Sequence, residues 1–171
     1  MLIIERLNLN LKDKKYMKTT IHILFLSLVM SINSFSQELT WHTDMNKASE
    51  LAIEQDKPVL MFFTGSDWCG WCIRLQNQVL KTDAFKTWAS ENVVLVELDF
   101  PRRKKIEKSL QVQNAYMQQL LKVRGYPTVV FVKPQKVAEG KMSLNNLGAT
   151  GYVQGGPEKW LEVANNIINV N

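Results

Sequence analysis

The two cysteines of this 171-residue chain, Cys69 and Cys72, lie where a strand pattern gives way to a helix pattern. Residues 59–63 read VLMFF, a short continuous apolar run that is typical of a strand buried on both faces. From residue 68 to residue 80 the apolar positions return at helical spacing, and the turn-forming stretch 64–67 separates the two patterns. The sequence therefore predicts a buried strand that delivers both sulfurs to the first turn of a helix.

This position predicts different chemistry for the two sulfurs. Unpaired backbone N–H groups at a helix N-terminus stabilise a thiolate, so we expect the pKa of Cys69 to fall and Cys69, partly exposed, to attack a substrate disulfide. Cys72 lies one turn further along the same face, deeper in the fold, and can resolve the mixed disulfide. Gly70 would keep the ring flexible and let a substrate approach. Trp68 and Trp71 would shield the sulfurs and offer an apolar platform to a peptide.

Two other uses of the cysteine pair are open to the sequence. A tetrahedral metal site takes four ligands, yet beyond residue 36 the chain has these two cysteines and one histidine, His42. A purely stabilising disulfide is the second alternative, but so short a ring constrains the unfolded chain little. Redox chemistry of the cysteine pair, with no metal and no other cofactor, is therefore the favoured interpretation.

Hydrophobic periodicity predicts helices at 44–55, 83–90, 114–123 and 158–168 and further strands at 93–100, 128–132 and 147–153. The expected boundary residues are Thr43 or Asp44 as a cap, Thr82 as a break, Pro101 as a strand stop, Gly125 as a helix C-terminal glycine and Pro157 in a first turn. Because the first three strands alternate with helices, we expect them to be parallel neighbours in one sheet with helices on both faces. The fold class is α/β.

The N-terminal region has the pattern of a targeting signal. Residues 21–30 form a short apolar run after Lys18, followed by small residues, which is typical of a secretory signal peptide and too short to span a bilayer. We predict cleavage after Ser36, so that residues 1–36 are removed and 37–171 form the domain. A buried helix is the alternative for the apolar run, and translation could start at Met1 or Met17. Export places the protein in an oxidising compartment, the periplasm.

Charge argues against nucleic acid as a partner. The formal net charge of +5 falls to about +2 when the five basic and two acidic residues before residue 20 are left out. One basic cluster remains, Arg102-Arg103-Lys104-Lys105, with Lys108 just beyond it. A solvated loop is one interpretation of this cluster, and a docking patch for an acidic partner is the other.

The cysteine motif and a later Gly125-Tyr126-Pro127-Thr128 together resemble the thioredoxin superfamily. The resemblance implies a thioredoxin fold, with a central mixed β-sheet flanked by helices on both faces, and a thiol–disulfide oxidoreductase activity. It also implies that Pro127 is cis and lies beside the active disulfide, leaving the backbone of Tyr126 free to pair with an extended peptide. An ordinary trans turn proline is the alternative for Pro127.

More narrowly, the chain resembles exported bacterial thioredoxin-like proteins through Gly-Ser-Asp-Trp-Cys-x-Trp-Cys at 65–72 and Asp-Phe-Pro at 99–101. It departs from thioredoxin in three ways. Trp71 replaces a proline, apolar stretches (61–63 and 95–96) replace a buried Asp and Lys, and the segment between Asp99 and Pro127 is longer. Asp67 or Glu97 could stand in for the missing proton acceptor.

The favoured function is a protein-disulfide reductase acting on exported proteins. Its expected partners are protein disulfide substrates and an electron-donating thiol protein, for which a membrane-bound protein is one candidate, and the chain is expected to be a monomer. Disulfide isomerase and oxidase are the alternatives in direction, since an aromatic residue before the second cysteine also resembles isomerases. A non-catalytic module that holds extended clients near Tyr126 and Pro127 is the alternative in class.

Overall fold

The computed structural model describes residues 39–138 and 141–169, and the predicted signal peptide, its cleavage site and the two candidate start residues lie outside these ranges. The elements are β1 (Trp41–His42), α1 (Met45–Glu54), β2 (Val59–Thr64), α2 (Gly70–Leu75), a π-helical turn (Gln76–Leu80), α3 (Asp83–Asn92), β3 (Val94–Asp99), α4 (Lys108–Leu120), β4 (Thr128–Ala138), β5 (Lys141–Thr150) and α5 (Gly156–Ile168). Within these ranges, no helix has the length and apolar character needed to cross a membrane.

The five strands form one mixed sheet, as the resemblance implied, and their order is β1-β3-β2-β4-β5. β2 lies at its centre and all six of its residues are buried. Because side chains alternate along a strand, Leu60 and Phe62 face one side with α2, α3 and α5, whereas Met61 and Phe63 face the other side with α1 and α4. The predicted α/β architecture with helices on both faces is confirmed.

The prediction that the first three strands are parallel is wrong for the third. β3 is parallel to β2, but β4 is antiparallel to it, with Phe63 opposite Thr128. β3 therefore ends, and β4 begins, at the carboxyl end of β2. The middle of α4 is fixed at this end of the sheet because the Asn114 side chain donates to the Asp99 carbonyl oxygen at 2.9 Å. An apolar run predicts a buried strand but carries no signal for its direction.

The fourth helix begins and ends earlier than periodicity predicted. It spans Lys108–Leu120 instead of 114–123. Gly125 is not its C-terminal glycine, because Lys122 already occupies the left-handed conformation with φ of 54°. Polar residues on the exposed side of this helix concealed its first turns.

The last two strands are longer than predicted and form a hairpin. β4 pairs with β2 only as far as Val132 and continues with β5 alone, where Pro134 lies opposite Leu144. A proline is tolerated in this part of β4 because the strand has a paired neighbour on one side only. The short strand β1 was not predicted, since two residues are too few for a periodicity signal.

Local chemistry explains the helix starts that were predicted correctly. Of the two candidate caps for α1, Asp44 serves, and its carboxylate accepts from the N–H groups of Asn46 and Lys47. The Thr82 hydroxyl caps α3 in the same way. Pro157 occupies the first turn of α5. Thr82 and Pro157 thus determine where α3 and α5 begin against the sheet face that carries the cysteines, whereas Asp44 begins α1 on the opposite face.

Candidate active site

Cys69 and Cys72 are joined by a disulfide at the carboxyl end of β2. Cys69 is the N-cap of α2, and its sulfur accepts a hydrogen bond from the N–H of Cys72 at 3.2 Å. The Cys69 N–H in turn donates to the Gly65 carbonyl oxygen at 2.8 Å, which ties the cap to the turn after the strand. Cys69 keeps 6% of its surface exposed and Cys72 none, so Cys69 is the more accessible sulfur although it is less exposed than expected.

Trp68 is held by contacts from several segments. Its indole N–H donates to the Phe100 carbonyl oxygen at 2.8 Å, and its ring meets the Tyr126 ring edge-on at 5.7 Å. Gly65 makes room for the indole, since a Cβ there would lie 2.5 Å from Nε1 of Trp68. The turn before the cysteines is therefore shaped around this tryptophan.

Asp67 caps the segment that follows β3. Its carboxylate accepts hydrogen bonds from the backbone N–H groups of Arg102, Arg103 and Lys104, at distances between 2.6 and 3.2 Å. These bonds, that of Arg102 first, hold the pKa of Asp67 below its usual range. Asp67 is thus engaged as a loop cap, which counts against it as the stand-in proton acceptor.

A second carboxylate joins the same loop to the cysteine turn. Asp99 accepts from the backbone N–H of Ser66 at 2.9 Å and from its hydroxyl at 2.7 Å, and it pairs with the Lys104 ammonium at 2.8 Å. The hydrogen bond to Asp99 raises the pKa of Lys104. The two ends of the site, residues 65–68 and 99–104, are therefore cross-linked by two carboxylates.

Glu97 lies on β3 and shares a sheet face with Leu95, which belongs to the core cluster that contains both cysteines. Burial, and after it the nearby Asp99 carboxylate, raises the pKa of Glu97. Of the two candidate proton acceptors, Glu97 is the one with a raised pKa on the face of the disulfide.

The Trp71 side of the disulfide is open. Trp71 is 55% exposed, and its ring lies 5.3 Å from that of Tyr152. The Arg74 guanidinium lies 4.9 Å from the Trp71 ring centroid and 5.9 Å from that of Tyr152. The Tyr152 hydroxyl donates to the Gln78 side chain at 2.6 Å, which orients the ring.

The Tyr126–Pro127 peptide bond is cis, which confirms what the resemblance implied. The Tyr126 ring packs on Trp68 and, at 5.2 Å, on Phe100, and burial raises the pKa of its hydroxyl. Within the described ranges, no hydrogen bond uses the backbone N–H or carbonyl of Tyr126. Gly70 likewise faces open space, with nothing within 4 Å of where a Cβ would stand.

Several residues at this site were not identified from sequence. Arg74 could have been found, because it lies three positions after Trp71 on a predicted helix and so shares its face. Arg102 belonged to the basic cluster, but nothing in the sequence placed it on Trp68, where its guanidinium lies 3.9 Å from the ring centroid. Tyr152 carried no signal at all, since it comes from a distant part of the chain.

The metal alternative finds no ligand set in the part of the chain that the structure describes. No group of three or more His, Cys, Asp or Glu side chains there could hold a metal ion. His42, the candidate third ligand, lies in β1 opposite Val96 of β3.

Comparison with known proteins agrees with this geometry. A family model described as Thioredoxin-like matches residues 40–134. The chain is similar to the disulfide bond reductase DsbH of Chlamydia pneumoniae, with 35% identity over 107 residues, covering 63% of this chain and 64% of that protein. It is also similar to the thioredoxin-related protein DsbJ of the same organism, with 26% identity, covering 74% of this chain and 37% of DsbJ. The chain thus spans less than two thirds of the length of either relative.

A solved structure titled DsbH Oxidoreductase superposes with a TM-score of 0.67 at 32% identity. The superposition covers 78% of this chain and 87% of that one.

Proposed function

Since this chain belongs to the thioredoxin-like family, we propose that it is a thiol–disulfide oxidoreductase that works as a protein-disulfide reductase. One observation carries the proposal: the Cys69 sulfur is the N-cap of α2 and accepts the N–H of Cys72. The same N–H would stabilise a thiolate on Cys69 after the disulfide is reduced. The name of the relative DsbH, a disulfide bond reductase, supports the direction.

The reaction follows from the two sulfurs. The Cys69 thiolate attacks one sulfur of a substrate disulfide, that S–S bond breaks, and the other substrate sulfur leaves as a thiolate that takes a proton. The Cys72 thiolate then attacks Cys69 in the mixed disulfide and releases the second substrate thiol. Two electrons pass from the protein to the substrate, and the protein is left with the disulfide described above. A dithiol donor protein, for which a membrane-bound protein is one candidate, returns those electrons.

The surrounding residues have distinct proposed roles. The backbone N–H and carbonyl of Tyr126 are free to pair with an extended substrate peptide. The adjoining Pro127 has no N–H that would compete for the acceptors of that peptide. Trp68 and Trp71 shield the sulfurs from either side, while Gly70 leaves space for a substrate above the ring that the Cys69–Cys72 disulfide closes. We assign the site to the periplasm, after removal of residues 1–36, with the domain acting as a monomer.

Cysteine substitutions test the class of function. A peptide with an internal disulfide and a fluorophore–quencher pair serves as substrate, and dithiothreitol as donor. Cys69→Ser and Cys72→Ser should each lose turnover, and Cys72→Ser should accumulate a mixed disulfide with the peptide, seen as a mass increase that reductant removes. Ser109→Ala, on the exposed part of α4, is the matched control. Turnover that survives in Cys69→Ser would refute the enzyme and favour a client-binding module.

The reduction potential tests the direction. We expect the Cys69–Cys72 couple, titrated against a thiol buffer and followed by tryptophan fluorescence, to lie near that of thioredoxin, about −270 mV. A potential near about −120 mV would make the protein an oxidant, and a value close to about −180 mV would favour an isomerase. Either result would overturn the reductase assignment while leaving the exchange chemistry in place.

A further inference from the structure

The segment at 101–106, here called the basic loop, carries more positive charge than its ion pairs within the fold neutralise. It carries four cations and no acid, and all four side chains are exposed. Among the described residues, only Lys104 of these four pairs with a carboxylate, that of Asp99. The charges of Arg102, Arg103 and Lys105 are therefore available to a partner.

The basic loop is held next to the disulfide. Asp67, two residues before Cys69, accepts three consecutive backbone N–H groups of the loop. The Arg102 guanidinium lies 3.9 Å from the centroid of Trp68, the residue that directly precedes Cys69. Backbone bonds and a ring contact thus keep the cationic side chains at the rim of the site, although long exposed side chains would otherwise range freely.

A second guanidinium lies at the other cysteine. Arg74 lies 4.9 Å from the ring centroid of Trp71, which directly precedes Cys72. Each tryptophan of the motif therefore carries an arginine on its face. Four carboxylates lie beside these cations: Asp67 and Asp99, which accept hydrogen bonds from the protein, Glu97, and Glu107, which follows the loop. The four cations of the loop and Arg74 outnumber these carboxylates by one, so the net charge at the mouth of the site is positive.

We propose that this surface selects substrates with acidic residues next to the disulfide to be reduced, and that Arg102 and Arg103 are the main specificity-determining residues. The inference rests on the proposed reductase function and adds the substrate class. A guanidinium presents a planar fork of donors that matches a carboxylate, and a lysine such as Lys105 adds charge without that geometry. Since such rim charges act chiefly on association, the preference should depend on salt.

Acidic peptide is favoured over a membrane surface by where the charge lies. Two of the cations, Arg102 and Arg74, lie on the two tryptophans that directly precede the cysteines. A substrate chain has to approach the disulfide for exchange to occur, whereas binding to a lipid surface does not require contact with the disulfide. The charged groups thus act on the same molecule that the sulfurs attack.

Two peptides test the proposal. Both contain the same internal disulfide, with Glu at the flanking positions in one and Gln in the other, and kcat/KM is measured for each in about 20 mM and about 1 M salt. We expect the native chain to prefer the acidic peptide about tenfold at low salt and to lose most of that preference at high salt, where the screening length is about 3 Å. Arg102→Gln combined with Arg103→Gln should bring the ratio at low salt close to one.

The matched control removes the same charge elsewhere: Lys47→Gln on α1 combined with Lys136→Gln on the hairpin should keep the tenfold ratio. A ratio near one in the native chain, or one that survives in the loop variant, would overturn the inference. So would binding of phosphatidylserine vesicles by the native chain but not by the loop variant, if the peptides were reduced equally. Failure to reduce either peptide would instead refute the proposed reductase function.

Discussion

The two tryptophans of the cysteine motif occupy opposite environments, although they are three residues apart. Trp68 is half-buried, donates a hydrogen bond to Phe100 and contacts Tyr126. Trp71 is 55% exposed, and its ring contacts the ring of Tyr152 and the guanidinium of Arg74. The difference suggests that one tryptophan is part of the framework and the other is available to a substrate.

Gly65→Ala should have the largest effect on stability, because the new methyl group would collide with the Trp68 indole. The new Cβ would lie 2.5 Å from the indole nitrogen, so the ring has to move and its hydrogen bond to Phe100 is lost. We expect a loss of about 2 kcal/mol in the free energy of unfolding, measured by urea denaturation. Gly70→Ala is the control, since nothing lies within 4 Å of that position. Equal losses in the two variants would contradict the framework role of Trp68.

Replacing each tryptophan by phenylalanine sharpens the contrast. Trp68→Phe leaves the Phe100 carbonyl without its donor and should cost about 1 kcal/mol of stability. Trp71→Phe should change stability by less than about 0.5 kcal/mol, because the ring is mostly in solvent. Its effect should instead fall on KM for the peptide disulfide. Thermal or urea unfolding measures the effect on stability, and steady-state kinetics measures the effect on KM. If Trp71→Phe lowered stability and Trp68→Phe changed only KM, the framework and substrate-facing roles would be exchanged.

Asp67→Asn tests whether the Trp68 side depends on a charged cap. The bound N–H groups lower the pKa of Asp67, so the carboxylate adds stability at pH values above its ordinary pKa of 3.8. That contribution is lost as pH falls through the lowered pKa of the folded state. The variant should therefore be less stable than the native chain at pH 7 and should approach it in acid, as measured by urea unfolding across pH. Glu50→Gln, at an exposed position, is the control and should show no such trend.

Glu97→Gln should give the smallest effect and the opposite pH dependence. Burial raises the pKa of Glu97, so its neutral form favours folding below the ordinary pKa of 4.5, and this advantage is lost as pH rises through the raised value. The glutamine variant should therefore be more stable than the native chain at pH 7, with the gain vanishing near pH 4. Glu54→Gln, which is exposed, should show no gain. A destabilised Glu97→Gln variant at neutral pH would mean that the carboxylate makes a favourable contact.

Much of the site was predictable from short-range patterns. The position of Cys69 at the start of a helix followed from an apolar run that meets helical periodicity, and the cis bond before Pro127 followed from the resemblance. The ring contact between Arg102 and Trp68 did not, because it joins residues far apart in sequence through a loop whose course depends on Asp67. Periodicity describes which face a residue takes, not which distant side chain it meets there.

The sequence by itself determined the local arrangement of this protein: a fully buried central strand, a cysteine pair in the next helical turn, and the caps Asp44 and Thr82 that begin two helices. These features depend on backbone geometry and on residues within one turn of each other. Tertiary structure alone decided the antiparallel direction of β4 and the charged rim around the disulfide. Strand direction and side-chain partnership depend on which segments the folded chain brings together, and hydrophobic burial has no preference for direction.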